Sequence, residues 1–356
     1  MAVTTRTDMI QQTEIYKLAQ FSRDAGFGGK IDPNVLHTLL NAPTSSLPDF
    51  PNLLVGADHR DDAAVLETGH GEAVVSTTDF FTPFVDDAYD FGRIASANAL
   101  NNIYAMGGEP LLAVAILGWP FDNIPAEIAG QILDGSRALC AEAGIPLAGI
   151  HSIESAEPFF GLAVTGKVRL NHLKQNSTAT EGCCLYLTKP LGTGMLATAL
   201  LKETLSAEHT ELALGQMTKL NTFGTFLGKL PYVKALTHVS GYGLLGHLIT
   251  MAENSGLSAE IDFHKVPVLP MLDEYRTSEN IPDGTHRNWD LFGEKTSELT
   301  EEQRFLLADP QISGGLLIAV DPRSATLFEQ VAFEYKLHLK AFGQLIEKSE
   351  KVVYVR

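Results

Sequence analysis

The chain has 356 residues, too long for one ordinary domain of ~100–200 residues, and 45% of them are hydrophobic, enough for a sizeable core. The formal net charge is −17 and no Lys/Arg cluster offsets it, which argues against nucleic-acid binding and against adhesion to an anionic membrane. The three cysteines, Cys140 and the adjacent Cys183 and Cys184, make no disulfide framework; residues 1–16 are polar and no apolar run reaches ~18 residues, so a cytoplasmic protein without a signal peptide or membrane span is expected.

Residues 1–30 are polar and then glycine-rich, ending in Gly26-Phe27-Gly28-Gly29-Lys30, and read as an arm or loop. Pro33 to Leu40 reads as a short helix. Leu53-Leu54-Val55 and Ala63-Ala64-Val65 are short apolar runs around Gly56-Ala57-Asp58-His59-Arg60-Asp61-Asp62, and Ala73 to Thr78 is a strand ending in Asp79. Arg93 to Met106 is a helix closed by Gly107-Gly108. Leu111 to Leu117 is a strand, Pro125 to Ala143 a helix and Pro158 to Val168 a strand.

A polar, unpatterned stretch at 169–180 marks a boundary, after which the pattern restarts. Strands are expected at Cys184 to Thr188, Ala259 to Phe263 and Leu316 to Val320. Helices are expected at Gly194 to Leu205, Leu244 to Asn254, Glu301 to Leu307 and Ala325 to Tyr335, with two short strands at the end. Val233 to Val239 reads as a strand or short helix. Both halves mix strands and helices, so the class is α/β or α+β.

The strongest local signal is Arg60-Asp61-Asp62-Ala63-Ala64-Val65 followed by Ser76-Thr77-Thr78-Asp79-Phe80. Each places carboxylates at the edge of a buried segment, where they need pairing, hydrogen bonds or a metal. Oxygen ligands of this type suit Mg²⁺, which shares its coordination with substrate phosphates. The alternative is that these aspartates cap turns or pair with Arg60. Asn98 and Asn102 share a helix face, lying against a ligand or forming a buried, satisfied amide pair. Gly241-Tyr242-Gly243-Leu244-Leu245-Gly246 matches G-x-G-x-x-G, with Asp262 about 20 residues on, and is the best case for a dinucleotide site; its alternative is a glycine-rich helix start that permits close packing. Asp309-Pro310-Gln311-Ile312-Ser313-Gly314-Gly315 is a turn-then-strand signal. No Walker loop, G-x-S-x-G elbow, H-E-x-x-H or CxxC is present.

Taken together, these blocks resemble the selenophosphate synthetases (selenide, water dikinases). The likeness is carried by Val55-Gly56 through Val65, Ser76 to Phe81, Asp90-Phe91-Gly92-Arg93-Ile94-Ala95, Ala105-Met106-Gly107-Gly108 and Ala115 to Pro120. It continues through Gly161 to Gly166, Leu187 to Gly192, Gly241 to Leu248 and Asp309-Pro310-Gln311. It runs from about residue 19 to the end, in the family's order.

The resemblance implies the two-domain α/β fold of aminoimidazole ribonucleotide synthetase. It places a flexible arm at 1–30, an ATP-binding domain dimerising through a β-barrel at 31–170, and a C-terminal α/β domain at 171–356. It implies ATP and Mg²⁺, with selenide and water converted to selenophosphate, AMP and phosphate by a cytoplasmic homodimer. Lys30 falls on the family's phosphate-directed lysine, Phe27 on its nucleophile position and Gly29 on that of a second cysteine. Nucleotide contacts fall on His59, Arg60, Asp61, Asp79, His151 and Ser152, with Asn98 beside them. The three metal aspartates fall on Asp62, Asn102 and His238, and Ile150 stands where a glycine is usual. Phenylalanine cannot attack or carry selenium. Two carboxylates fewer should weaken Mg²⁺ binding, and an Asp–Asn–His set suits Mn²⁺, Zn²⁺ or Fe²⁺ better than the parent set does. The alternative to a synthetase is an inactive nucleotide-binding paralogue with a regulatory or interaction role.

Overall fold

Alternation along residues 72–81 buries Ala73, Val75 and Thr77 and leaves Ser76, Thr78 and Phe80 outward, the pattern of a strand with one covered face. The structure, a computed structural model, describes residues 17–21, 35, 50–57 and 59–356. Phe27, Gly29, Lys30 and the helix expected at Pro33 to Leu40, Val35 apart, lie outside the described residues.

The first half runs β1 (Leu53–Val55), β2 (Ala64–Gly69), β3 (Glu72–Phe81), α1 (Ala88–Ala105), β4 (Glu109–Trp119), α2 (Ala126–Glu142), β5 (Leu147–Glu154) and β6 (Phe159–Arg169). Its sheet has six strands in the order β1-β2-β3-β6-β4-β5, antiparallel except for the parallel β4–β5 pair. Helices α1 and α2 pack on one face. The sheet is open, and no closed barrel occurs among the described residues.

The second half runs β7 (Cys184–Leu187), α3 (Thr193–Leu201), α4 (Ala207–Thr218), α5 (Phe223–Gly228), β8 (Val233–His238), α6 (Gly243–Asn254) and β9 (Ser258–Ile261). It continues with α7 (Leu272–Tyr275), α8 (Asp283–Phe292), α9 (Glu301–Ala308), β10 (Leu316–Val320), α10 (Ala325–Glu334), β11 (Gly343–Ile346) and β12 (Val353–Val355). Its six strands lie in the order β12-β9-β11-β7-β10-β8. Strand β8 pairs with β10, antiparallel, and three strands separate it from β9. No βαβ unit therefore surrounds the G-x-G-x-x-G segment, and the dinucleotide reading fails. Gly243 has φ +68, and a Cβ there would lie 2.9 Å from the Leu307 and Asp309 carbonyls, so this glycine serves close packing.

Helix α1 holds the molecule together. It is buried on nearly every side and touches β3, β6 and α2 of the first half and α4, α5 and β8 of the second. One hydrophobic cluster runs through both halves, from Val55 and Val75 past Ile94 and Leu100 to Leu317 and Val353. The helix begins at Ala88, five residues ahead of the sequence expectation, because the Asp87 side chain caps it by accepting from Asp90 N–H at 2.8 Å. No described helix is long and apolar enough to cross a membrane.

Candidate functional site

The acidic segment ahead of β2 is held by the second half of the chain. Arg60 lies in left-handed backbone, φ 52. Asp61 Oδ1 accepts from Asn176 N–H at 2.7 Å, while the Asn176 side-chain amide donates to the His59 and Arg60 carbonyls at 3.0 and 3.2 Å. Asn254 Nδ2 also donates to the His59 carbonyl, at 2.6 Å. Burial pushes the Asp61 carboxyl up to about 6, against the lowering effects of Asn176 N–H and His59. Its Oδ2 is buried without a hydrogen-bond partner among the described residues, an acceptor that a ligand hydroxyl would satisfy.

Asp79 stands on the helix-facing side of β3. Asn98 of α1 donates from Nδ2 to Asp79 Oδ2 at 2.7 Å and accepts at Oδ1 from Ser313 N–H at 3.0 Å. Ser313 is buried and held at φ 46, a conformation L-residues rarely adopt. Three neighbours brace it. Asn101 Nδ2 donates to Ser313 Oγ at 2.8 Å, Lys189 Nζ donates to the Ser313 carbonyl at 2.6 Å, and Asn221 Nδ2 donates to the Gly314 carbonyl at 2.9 Å. Burial holds the Lys189 ammonium well below the usual lysine range, and its contacts with the Gln216, Lys219 and Ser313 carbonyls satisfy its three donors.

Asp62, Asn102 and His238 meet at the junction of the two sheets. His238 ends β8 and is fully buried. Its backbone N–H lies 3.2 Å from both carboxylate oxygens of Asp62, and its ring Nδ1 lies 2.9 Å from Asn102 Oδ1. Asn102 Nδ2 donates to Thr77 Oγ1 at 3.2 Å, and that hydroxyl donates to the Asp62 carbonyl at 3.0 Å.

The structure thus gathers Asp61, Asp62, Asp79, Asn98, Asn102 and His238, with His59 and Arg60 on the same segment. Asn98 and Asn102 are both buried and hydrogen-bonded, to separate partners. His151 and Ser152 are not brought to this group. They are exposed on β5, three interstrand spacings from β3, on the order of 14 Å. The register row Phe80–Gly161–Ile116–His151 also puts His151 on the sheet face opposite Asp79. Sequence reading missed Asn101, Asn176, Lys189, Asn221 and Ser313. One signal was available: Asn98, Asn101 and Asn102 follow helical spacing in an otherwise apolar segment, and buried amides require partners.

Residues 60–168 match the family described as AIR synthase related protein, N-terminal domain, and residues 180–356 match its C-terminal domain. The chain is 53% identical to the selenide, water dikinase of Pseudomonas putida over 343 residues, covering 96% of this chain and 99% of that protein. It is 50% identical to the selenide, water dikinase of Photobacterium profundum over 335 residues, covering 94% and 96%. The chain belongs to the selenide, water dikinase family. Among solved structures, thiamine-monophosphate kinase from Stenotrophomonas maltophilia superposes with a TM-score of 0.63 at 20% identity, covering 90% of this chain and 94% of that one. AaThiL complexed with AMPPCP and TMP gives 0.64 at 17%, covering 90% and 91%. These two likenesses establish the shared fold.

Membership raises the question of whether Asp62, Asn102 and His238 suit the Mg²⁺ that the family resemblance places there. Mg²⁺ takes oxygen ligands in near-octahedral geometry. Here the amide oxygen of Asn102 is engaged by the His238 ring, and His238 offers nitrogen, leaving Asp62 as the sole carboxylate. No group of three or more His, Cys, Asp or Glu side chains able to hold a metal occurs among the described residues. The trio does not fit a Mg²⁺ ion bridged by three aspartates.

Proposed function

We propose that this chain is a selenide, water dikinase that uses ATP, delivered as its Mg²⁺ chelate, to convert selenide and water into selenophosphate, AMP and phosphate. The observation that carries this reading is identity of about one half to selenide, water dikinases over nearly the whole length. The frame of Asp61, Asp62, Asp79 and Asn98, fixed from the second half of the chain, supports it. Three carboxylates repel a bare triphosphate, so the reading requires cations between them; Lys30 and the chelated metal supply these. His59, Arg60, Asp61, Asp79 and Asn98 flank the nucleotide. One phosphoryl group passes to selenium and the other to water. With Phe27 at the nucleophile position and the Cys140 thiol pushed up to about 11 by burial, selenide attacks directly, with no selenium–protein bond.

On this reading residues 31–170 form the ATP-binding and dimerisation unit, 171–356 close it, and the arm 1–30 delivers Lys30. The protein is a cytoplasmic homodimer. The uncovered face of the first sheet supports dimerisation: it carries exposed Leu66, Phe80 and Ile153, and a parallel strand such as β5 is normally covered. His151, which lies on that face, then serves a nucleotide only across that interface. The deciding experiment is AMP release from ATP with Mg²⁺ or Mn²⁺, with and without selenide. Selenide-dependent AMP supports the proposal, and no AMP with either metal overturns it.

A further inference from the structure

The circuit through Asp62, His238, Asn102 and Thr77 has a direction set by one atom. The Asp62 carbonyl oxygen can only accept, so the Thr77 hydroxyl donates to it at 3.0 Å. Thr77 Oγ1 then accepts from Asn102 Nδ2 at 3.2 Å, which turns the amide oxygen toward His238. That oxygen also can only accept, so His238 Nδ1 carries the proton at 2.9 Å. The loop closes where His238 N–H meets the Asp62 carboxylate at 3.2 Å. Every link joins different elements: the segment ahead of β2, strand β3, helix α1 and the end of β8. The trio holds one carboxylate, that of Asp62, where three aspartates would hold three.

We propose that this circuit replaces a protein-held divalent ion as the fastener between the two halves. At this point of the junction, within the shared apolar core, the polar fastening is made by hydrogen bonds. The site holds one divalent ion, the one that arrives chelated to the triphosphate, and no second ion bridged by protein. The inference rests on the reading that ATP binds beside Asp61, Asp62 and Asp79, but its mechanical part stands without nucleotide. A protonated nitrogen at 2.9 Å from the amide oxygen occupies the direction from which a cation would approach.

Electron paramagnetic resonance of Mn²⁺ counts bound ions per chain, with and without AMPPCP, and thermal melting in EDTA or Mn²⁺ reports the fastener. The wild-type chain should bind no Mn²⁺ tightly alone and one with AMPPCP, and should melt at the same temperature in EDTA and in Mn²⁺. The variant Asn102→Asp/His238→Asp should bind at least one more ion and melt higher in Mn²⁺ than in EDTA. If that variant does not fold, His238→Asp is read in the same way. Equal ion counts in wild type and variant, or a wild-type melt that drops in EDTA, overturn the proposal. Failure of AMPPCP to bind in calorimetry counts against the ATP reading instead, while the nucleotide-free counts and melts still decide this one.

Discussion

Asp309 lies in the Asp309-Pro310-Gln311 turn, fully buried, with Oδ2 accepting from Gly194 N–H at 3.1 Å and Gln311 Nε2 at 2.7 Å. Its other oxygen has no partner among the described residues, and burial pushes the carboxyl up to about 8. The unfolded chain loses this proton near pH 4, while the folded chain keeps it to about pH 8. Folding is therefore favoured most fully below pH 4. It weakens as pH rises through that window, by up to about 1.4 kcal/mol per pH unit, and the contribution is gone above it. The substitution Asp309→Asn keeps the shape of the side chain and removes the titration. Calorimetric melting temperatures should show the variant gaining on wild type between pH 4 and 8; parallel curves would refute this. The pH behaviour was not legible in the sequence, where the segment reads as a turn before a strand. The same holds at Ser313: its φ of 46 and its link to Asn98 are tertiary facts. By contrast, the carboxylates at 61, 62 and 79 were legible because they flank apolar runs.

At the crossing of α1 and α2 the spacing is set by two glycines. A Cβ on Gly92 would lie 2.0 Å from the Ile132 carbonyl oxygen, and one on Gly135 would lie 2.0 Å from that of Tyr89. Gly130, on the same α2, has nothing within 4 Å of such a Cβ. Alanine favours a helix over glycine by about 0.5–1 kcal/mol, so Gly130→Ala should stabilise the protein by about that amount. Gly135→Ala gains the same propensity but forces the helices apart, and should destabilise by about 1–3 kcal/mol net. Urea unfolding of the pair checks this, and equal effects at both positions would refute it. The long helices and apolar strands were legible because their periodicity is strong. Strand β5 was not, because it is exposed along nearly all its length and mixes His151, Ser152 and Glu154 with its apolar residues. Helix α4 was hidden by its polar face, although Ser206, which accepts from His209 N–H, was a start signal there to be read. Helix α3 stops at Leu201, short of the expected Leu205, where Glu203 adopts φ 56.

At the scale of the whole molecule, the proposed homodimer would use the outer face of the first sheet, which no described helix covers. Ile153 is 51% exposed on β5, away from the aspartate cluster. Ile153→Asp should convert a dimer to a monomer in sedimentation equilibrium while leaving the melt of the chain within about 0.5 kcal/mol, the usual range for surface changes. A wild-type monomer, or a variant that stays dimeric, would refute the use of this face. The two sheets were legible as a pattern that restarts once, after the polar stretch at 169–180. The helix that binds them was legible as a helix but not as a bridge, because nothing in the run 88–105 states which half will cover each side of it. Helix α1 gives the chain a property of another kind. The boundary near residue 170 separates the sheets but cuts through a common core, so the first half expressed alone would present to water the side of α1 that α4, α5 and β8 cover. The halves are therefore not portable: neither can be recombined with a foreign partner unless that partner also buries this helix, and a gene split at the boundary would yield fragments that must meet in order to fold.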